Sequence, residues 1–136
     1  MDSLLSFDFD LKPISPLTLS FIGDGVYDLM VREYIISLAN RPVGKLNNRK
    51  ISVVNCGFQA KCATALLPYL TEDEKVIYNR GKNANVHSVP KNASRSDYHS
   101  ATGLEALFGY LYIKKDIARL RELFNIIVTD IYERVK

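Results

Sequence analysis

The amino-acid sequence predicts an all-α fold in a single domain. Apolar residues recur at helical spacing along most of the chain, and the sequence contains no alternating apolar and polar stretches joined by hairpin turns. With 136 residues, 47% of them hydrophobic, the chain can bury one core of its own. Polar side chains interrupt every apolar stretch before it reaches the roughly 18 residues of a membrane span. We therefore expect one helical-bundle domain over residues 1–136, without membrane association.

Two helices are predicted in the N-terminal half. The first begins at Pro16, because proline is tolerated in a first helical turn, and continues to about Leu38, shortly before Pro42. The second is expected to run from about Asn47 to Leu67 as one continuous helix. Its apolar stripe is formed by Ile51, Val54, Phe58, Cys62 and Leu66.

A third helix is predicted directly after a strong start signal. Thr71 is followed three residues later by Glu74, which is the spacing of a capping box. This helix should end near Gly81. Residues 82–97 are polar, contain a proline and show no periodicity, so we predict a loop there. Loops of this length are uncommon in compact domains unless they bind something.

Two further helices are predicted after this loop, which makes five in total. The first covers residues 98–114 and should be largely buried, because apolar side chains surround much of it: Leu104, Leu107, Phe108, Leu111 and Tyr112. Asp116 can cap the last helix. The apolar face of that helix is formed by Leu120, Phe124, Ile127 and Ile131.

Positive charge is concentrated in the middle of the chain. Residues 41–95 contain ten basic and three acidic side chains, a net charge of +7, within a chain whose overall net charge is +3. A basic segment in an otherwise acidic chain predicts a surface that contacts a polyanion such as a nucleic acid. The alternative is a solvated face whose charges are balanced by acidic residues brought near it by the fold.

The cysteines and histidines carry little functional information. Cys56 and Cys62 are six residues apart, which suits neither a metal site nor a redox pair, so we expect both to be buried apolar side chains in a cytoplasmic protein. The N-terminus also lacks the basic start of a signal peptide. A metal-free ribonuclease using His87 and His99 as paired imidazoles is an alternative, but the sequence offers no obvious carboxylate to orient them.

Asp24 is the first anomaly that indicates a catalytic site. It lies in an apolar helix between Gly23 and Gly25, each of which costs roughly 1 kcal/mol relative to alanine in a helix interior. Close helix packing would explain the glycines, and a metal ion or a buried partner would explain the acid. Asp28 lies one turn further on the same side and can assist it. The alternative is a structural ion pair between Asp24 and Arg32.

Glu105 is the second anomaly, an acid between Leu104 and Leu107 in the most apolar helix. Removing a carboxylate from water costs several kcal/mol unless it is paired or bound to a cation. We therefore expect Asp24 and Glu105 to be buried, to meet, and to bind a hard cation such as Mg²⁺. Mg²⁺ beside a basic surface predicts metal-assisted hydrolysis of phosphodiesters.

Three segments together resemble the ribonuclease III catalytic domain, and more closely its short form, Mini-ribonuclease III. The stretch SFIGDGVYD resembles the signature helix of the family, and GLEALFGYLY resembles its second acidic helix. RGKNANVHSVPKN, residues 80–92, is similar to a loop typical of the short form. The likeness covers nearly the whole chain in order.

This resemblance implies a set of residue roles. Asp24 and Glu105 would be the catalytic metal ligands, with Mg²⁺ as the cofactor and Mn²⁺ as a substitute. Two further acids of the larger family members would map onto Ser20 and Thr102, which leaves the number of bound metals open. Phe21 would contact the partner subunit of a homodimer.

The resemblance also implies the reaction and the substrate. The protein would be an endoribonuclease that cleaves double-stranded RNA to leave a 5′-phosphate and a 3′-hydroxyl, and would mature precursor large-subunit (23S) ribosomal RNA. A ribosomal protein cofactor is left open. The larger enzymes add a separate duplex-binding domain, which we do not expect in these 136 residues. The candidate RNA contacts are Arg49, Lys50, Arg80, Lys82, Asn83, Lys91 and Asn92.

Two other functions stay open on the sequence alone. A non-catalytic helical protein that binds RNA or assists ribosome assembly would explain the two missing acids and the modest net charge. A metal-dependent hydrolase of small phosphate esters would need a compact pocket. Cleavage of duplex RNA distinguishes the endoribonuclease from both.

Overall fold

The computed structural model describes residues 4–5, 14–85, 89, 91 and 93–132, and within these residues the fold is all-α, as predicted. The helices are α1 (Pro16–Leu38), α2 (Val43–Val53), α3 (Cys56–Leu66), α4 (Glu72–Lys82), α5 (Arg95–Ile113) and α6 (Ile117–Asp130). A short 3₁₀ turn, Leu67–Tyr69, follows α3. None of the described helices is both long and apolar enough to cross a membrane.

Helix α5 is the centre of the fold. It packs against α1, α3 and α4, and Leu104, Leu107 and Phe108 have no exposed surface. Tyr27 of α1 is equally buried and meets the Phe108 ring edge to face, with ring centroids 5.7 Å apart. The predicted burial of the GLEALFGYLY segment is therefore confirmed, and the segment forms the middle of the core.

Local capping signals set the helix starts. Ser15 accepts a hydrogen bond from the backbone N–H of Thr18 at the start of α1. Thr71 and Glu74 form the predicted capping box at α4, with both hydrogen bonds present. Asp116 caps α6 as expected. These starts are readable from the sequence because each depends on contacts within three residues.

The single helix predicted over residues 47–67 is wrong, because the chain breaks between α2 and α3 at Val54 and Asn55. Asn55 accepts a hydrogen bond from the Phe58 N–H at 2.9 Å, and its amide donates to the carbonyl of Ile51 at 3.1 Å. An asparagine side chain bound to nearby backbone in this way competes with a continuous helix. Ile51, expected in an apolar stripe, is therefore 55% exposed.

A buried tyrosine stabilises this break. The Tyr27 hydroxyl donates to the Val53 carbonyl at 3.0 Å and lies 2.9 Å from the Tyr132 hydroxyl. In a continuous helix the Val53 carbonyl would instead accept from the backbone four residues further on. Burial raises the pKa of Tyr27, so the hydroxyl stays protonated as a donor. The contact joins α1, the end of α2 and the C-terminal end of the described chain.

The boundaries of α5 also differ from the prediction. This helix begins at Arg95, three residues earlier than expected, because Ser94 accepts a hydrogen bond from the Asp97 N–H at 3.0 Å. The connection from α4 to α5 is correspondingly shorter than residues 82–97. His87 and Asn92, to which we assigned roles within it, lie outside the described residues.

Glycines at the crossing of α1 and α5 let the two backbones touch. A Cβ atom on Gly23 would overlap the Glu105 carbonyl oxygen and lie 2.7 Å from the Gly109 nitrogen. A Cβ atom on Gly109 would in turn overlap the Leu19 carbonyl. Close packing therefore explains Gly23 as expected. It does not explain Gly25, around which a Cβ would find open space within 4 Å.

An ion pair joins α4 to α6. The Arg119 guanidinium donates to both carboxylate oxygens of Glu74, each at 2.8 Å, and to the Tyr69 carbonyl at 2.7 Å. Glu74 is only 5% exposed. The hydrogen bonds from Arg119 hold the pKa of Glu74 below its ordinary value of 4.5. The pair ties the first turn of α4 to the first turn of α6.

We expect Arg119→Met to destabilise the fold by about 3 kcal/mol at neutral pH, since it leaves Glu74 buried without its cation. Ionised Glu74 stabilises the parent above pH 4.5, and this stabilisation disappears as the pH falls through the lowered folded-state pKa. The variant should therefore lose less stability than the parent on acidification. Urea unfolding at neutral pH and below pH 4.5 measures this loss, with the exposed Arg121→Met as control. An equal loss of stability on acidification in the parent and in Arg119→Met would contradict it.

Candidate active site

The crossing of α1 and α5 brings Asp24 and Glu105 together, as the sequence predicts. Asp24 directly follows Gly23, whose missing side chain allows α1 to lie against the backbone of Glu105. The Asp24 carboxyl lies close enough to raise the pKa of Glu105 through a hydrogen bond and through its negative charge. Side chains 81 positions apart thus meet because two backbones touch at a glycine.

Burial and the neighbouring Asp24 carboxyl raise the pKa of Glu105 to about 8. Burial makes the larger contribution, and the hydrogen bond and negative charge of Asp24 add to it. Gln59 and Ser20 act in the opposite direction, because they donate hydrogen bonds to the glutamate. The hydrogen bonds from Gln59 and Ser20 therefore offset only part of the rise in the pKa of Glu105 that burial and Asp24 cause.

The expected burial of Asp24 is wrong. Its side chain is exposed, and only Glu105 is partly buried. The buried positions of α1 include Gly23 and Tyr27, and Asp24 lies about 100° round the helix from Gly23. The apolar neighbours of Asp24 in the sequence therefore occupy other faces of the helix. An exposed acid beside a recessed one can be reached from solvent by a large substrate.

The alternative prediction, an ion pair between Asp24 and Arg32, is wrong. Arg32 donates to Asp28 at 2.7 Å, and Lys50 of α2 lies 3.4 Å from the other oxygen of the same carboxylate. Asp28 is thus neutralised by two cations, whereas Asp24, one turn earlier, is not a partner of either. Asp28 holds basic side chains next to the acid pair.

The residues at the positions of the two missing family acids behave differently from each other. Ser20 is 8% exposed, and its hydroxyl donates to one oxygen of Glu105 at 3.3 Å. Thr102 is 5% exposed, and its hydroxyl donates to the Tyr98 carbonyl within its own helix at 2.9 Å. Ser20 therefore belongs to the acid pair, while the hydroxyl of Thr102 is bonded to the backbone of α5.

Two carboxyl groups in contact suit one hard cation. Within the residues that the structure describes, no group of three or more histidine, cysteine or acidic side chains could enclose a metal ion. Mg²⁺ does not require such an enclosure, because it usually binds one or two carboxylates and keeps several waters or substrate phosphate oxygens. The donor set of Asp24 and Glu105 therefore fits a cation whose remaining positions are open to a substrate.

The chain matches known proteins over most of its length. The family model of the ribonuclease III domain matches residues 17–116, which include both acids. The chain belongs to the ribonuclease III family. It is 38% identical over 125 residues to Mini-ribonuclease 3 of Clostridium tetani, covering 91% of this chain and 82% of that protein. The Mini-ribonuclease 3 of Enterococcus faecalis is also 38% identical, over 85% of this chain and 89% of its own.

A solved structure of similar size has the same fold. The crystal structure of a protein from Fusobacterium nucleatum superposes with a TM-score of 0.80 at 30% identity, over 90% of this chain and 99% of that one. Membership of the ribonuclease III family makes this chain a ribonuclease III-type endoribonuclease specific for double-stranded RNA, in a family that generally depends on divalent metal ions. The resemblance seen in the sequence is thereby confirmed.

The candidate RNA contacts of this ribonuclease III domain lie in separate parts of the described structure. Arg49 and Lys50 are half-buried near the end of α2, and Lys50 is held by Asp28. Arg80, Lys82 and Asn83 are exposed at the end of α4, where the Lys82 ammonium lies 6.0 Å from the centre of the Tyr78 ring. Lys91 is also exposed. Asn92 falls outside the described residues.

Sequence reasoning missed two side chains near the acids of this ribonuclease III site. Gln59 of α3 donates to Glu105 at 3.4 Å and is 4% exposed. Cys56, expected to be buried, is half-exposed, and burial together with the charges of Glu105 and Asp97 raises its pKa. Cys62 is fully buried as expected. The only sequence signal for Gln59 was its position as a polar residue among apolar ones. The start of α3 at Asn55 is what orients the Gln59 side chain.

Proposed function

We propose that this chain is a Mg²⁺-dependent endoribonuclease, with Mn²⁺ as a substitute, that hydrolyses double-stranded RNA at Asp24 and Glu105. The observation that carries this proposal is the crossing of α1 and α5 at Gly23, which places these two carboxyl groups side by side and helps to raise the pKa of Glu105 to about 8. A pKa of about 8 leaves Glu105 mostly protonated at neutral pH without metal, because ionising it beside Asp24 in a partly buried site costs free energy. A divalent cation removes that cost.

The side chains around the pair divide the chemistry between them. When bound, the cation would activate a water and stabilise the charge that develops on the phosphate. Glu105, held by Ser20, provides a recessed and oriented oxygen ligand. Asp24 provides an exposed ligand that duplex RNA can approach from solvent. Attack of such a water on phosphorus with cleavage of the P–O3′ bond would leave a 5′-phosphate on one product and a 3′-hydroxyl on the other.

Basic side chains beside the acids would bind the RNA backbone. Asp28 holds Lys50 and Arg32 one turn from Asp24, so that cations flank the acid pair. The exposed group at the end of α4 gives a second set of contacts. A-form RNA offers phosphates and 2′-hydroxyls more readily than base edges, so we expect recognition by duplex shape and strong dependence on salt.

We further propose that the substrate is precursor 23S ribosomal RNA in the cytoplasm. The support is the likeness to Mini-ribonuclease III in three motifs. Incubation with precursor transcripts, in Mg²⁺ or in a chelator, tests both the substrate and the metal dependence when the new RNA ends are mapped. Cleavage of other duplexes but not of the precursor would overturn the substrate. Metal-independent binding without any cleavage would instead favour a non-catalytic RNA-binding protein.

We also propose that the enzyme is a homodimer formed through α1. Leu17, Phe21 and Leu29 are 41%, 84% and 58% exposed, and their spacing of four and eight residues places them on one oblique row of the helix surface. Gly25, which has open space around it, lies in the same row. An apolar row of this kind is typical of an interface. A second copy packed there would bring the two acid pairs to one surface.

Phe21→Asp should convert the dimer to a monomer, because it places a charge at the most exposed aromatic ring of this row. Sedimentation velocity of parent and variant measures the change in mass. Val76→Asp is the matched control, since Val76 of α4 is also apolar and 54% exposed but is not on α1. A Phe21→Asp variant with the mass of the parent would contradict the proposed interface.

A further inference from the structure

Both oxygens of the Glu105 carboxyl group are held by neutral donors from two different helices. The Ser20 hydroxyl of α1 lies 3.3 Å from Oε1, and the Gln59 amide nitrogen of α3 lies 3.4 Å from Oε2. With one donor on each oxygen, rotation of the carboxyl group is restricted from both sides. The resemblance to the family directed attention to Ser20 and gave no role to Gln59.

Gln59 is an unusual side chain for its position. It is 4% exposed on a helix whose other buried positions are Cys62, Ala63 and Leu66. Burying an amide costs free energy unless it is hydrogen-bonded, so an apolar residue would pack here at lower cost. The bond to Glu105 is what compensates for this burial. An amide also donates without carrying a charge at any pH, unlike a histidine or a lysine, whose charge changes with pH.

The start of α3 sets the direction of Gln59. Asn55 caps this helix, and Gln59 follows one turn later, with its N–H bonded to the Asn55 carbonyl at 2.9 Å. The side chain therefore projects from the first full turn of a separately anchored helix. α3 packs directly on α5, which carries Glu105. Both ends of the hydrogen bond are thus on rigid elements.

We propose that Gln59 is a positioning residue, which holds the Glu105 carboxyl group from α3 in the orientation that lets it bind a divalent cation together with Asp24. The inference rests on the proposed function, because it assumes that the two acids are metal ligands. Hydrogen-bonded partners of metal ligands contribute in this way by fixing ligand orientation, and their loss typically lowers metal affinity or activity about 10- to 100-fold.

Binding of Mn²⁺ to the full chain without RNA, followed by electron paramagnetic resonance, tests the inference independently of cleavage. Gln59→Met keeps the size of the side chain and removes the donor. We expect it to bind Mn²⁺ about 10-fold or more weakly than the parent. Cys62→Ala is the matched control: it changes a buried residue on the same helix and should alter thermal stability but not Mn²⁺ affinity. Equal Mn²⁺ affinity in Gln59→Met and the parent would overturn the inference.

Gln59→Glu tests whether the N–H donor itself is needed, or only a polar side chain at this position. It also tests the inference if Gln59→Met does not fold. It keeps the length of the side chain and replaces the N–H donor by a third carboxylate. We expect the single-turnover rate constant for cleavage of duplex RNA to fall at least about 10-fold. The enzyme concentration that gives half of the maximal rate should change little, because RNA contacts are not altered. Cleavage at the parental rate would show that the donor is unnecessary and overturn the inference.

The parent distinguishes failure of this inference from failure of the proposed function. A parent that neither binds Mn²⁺ nor cleaves duplex RNA with metal would overturn the proposed function, and the role of Gln59 with it. A parent that does both, beside a Gln59→Met variant that does both equally well, would overturn the role of Gln59 alone.

Discussion

Asp24→Asn and Glu105→Gln should each reduce cleavage of duplex RNA by about 1000-fold or more. Each removes a carboxylate ligand, and metal-ion stabilisation of the transition state is worth several kcal/mol, at about tenfold in rate for each 1.4 kcal/mol. Single-turnover cleavage of a labelled duplex at saturating Mg²⁺ measures the loss. Glu33→Gln, which changes an exposed acid on the same helix as Asp24, is the matched control and should cleave at the parental rate.

The stability of these variants distinguishes catalytic acids from structural ones. Asp24 is exposed, so Asp24→Asn should unfold at the parental temperature. The pKa of Glu105 is raised in the folded state, so its ionisation opposes folding as the pH rises from 4.5 towards about 8. Glu105→Gln should therefore be at least as stable as the metal-free parent at neutral pH. Full cleavage activity in either variant would contradict the assignment, and a large loss of stability would indicate a structural role instead.

Gly23→Ala should destabilise the protein by about 3 kcal/mol or more, at the upper end of overpacking effects. The added Cβ would overlap the Glu105 carbonyl oxygen and approach the carbonyl carbon to 2.6 Å. These are backbone atoms of the central helix, which cannot rotate away as a side chain can. The two helices must therefore separate, which also moves Glu105 away from Asp24. Urea unfolding and single-turnover cleavage should both show the effect.

Gly25→Ala is the matched control for this prediction. It lies two residues further along the same helix, and its added Cβ would find no atom within 4 Å. Alanine is favoured over glycine within a helix by roughly 0.5–1 kcal/mol, so this variant should be as stable as the parent or more stable. Equal stability of Gly23→Ala and Gly25→Ala would show that contact between the α1 and α5 backbones does not determine the fold.

Features that depend on neighbours within one helical turn could be predicted from the sequence. The capping box of Thr71 and Glu74 and the cap at Asp116 are of this kind. The helical period was also sufficient to place Leu104 and Leu107 in the core. It failed between residues 47 and 67, because the apolar spacing continues through Asn55 while the asparagine side chain binds backbone groups and starts a new helix.

The acid pair could be predicted only in part. An acid among apolar residues indicated both Asp24 and Glu105, and the crossing of α1 and α5 at Gly23 places them side by side. Which face of α1 is buried depends on how it crosses α5, so the exposure of Asp24 was not accessible from its neighbours in the sequence. Gln59 contacts a residue 46 positions away, and the ion pairs of Asp28 involve α2. Such partners are set by tertiary packing, for which a single sequence has no local signal.

The break between α2 and α3 allows the proposed RNA contacts on α2 and the support of Glu105 from α3 to change independently. α2 carries Lys50, which belongs to the proposed RNA surface, and α3 carries Gln59 beside Glu105. Only Val54 and Asn55 separate the two helices. In one continuous helix, each residue inserted before Gln59 would turn its side chain by about 100° about the helix axis. Because Asn55 starts α3 anew, α2 can gain or lose residues and charges without this rotation. Exchange of α2 between relatives is therefore a route to an altered RNA preference on an unchanged catalytic centre.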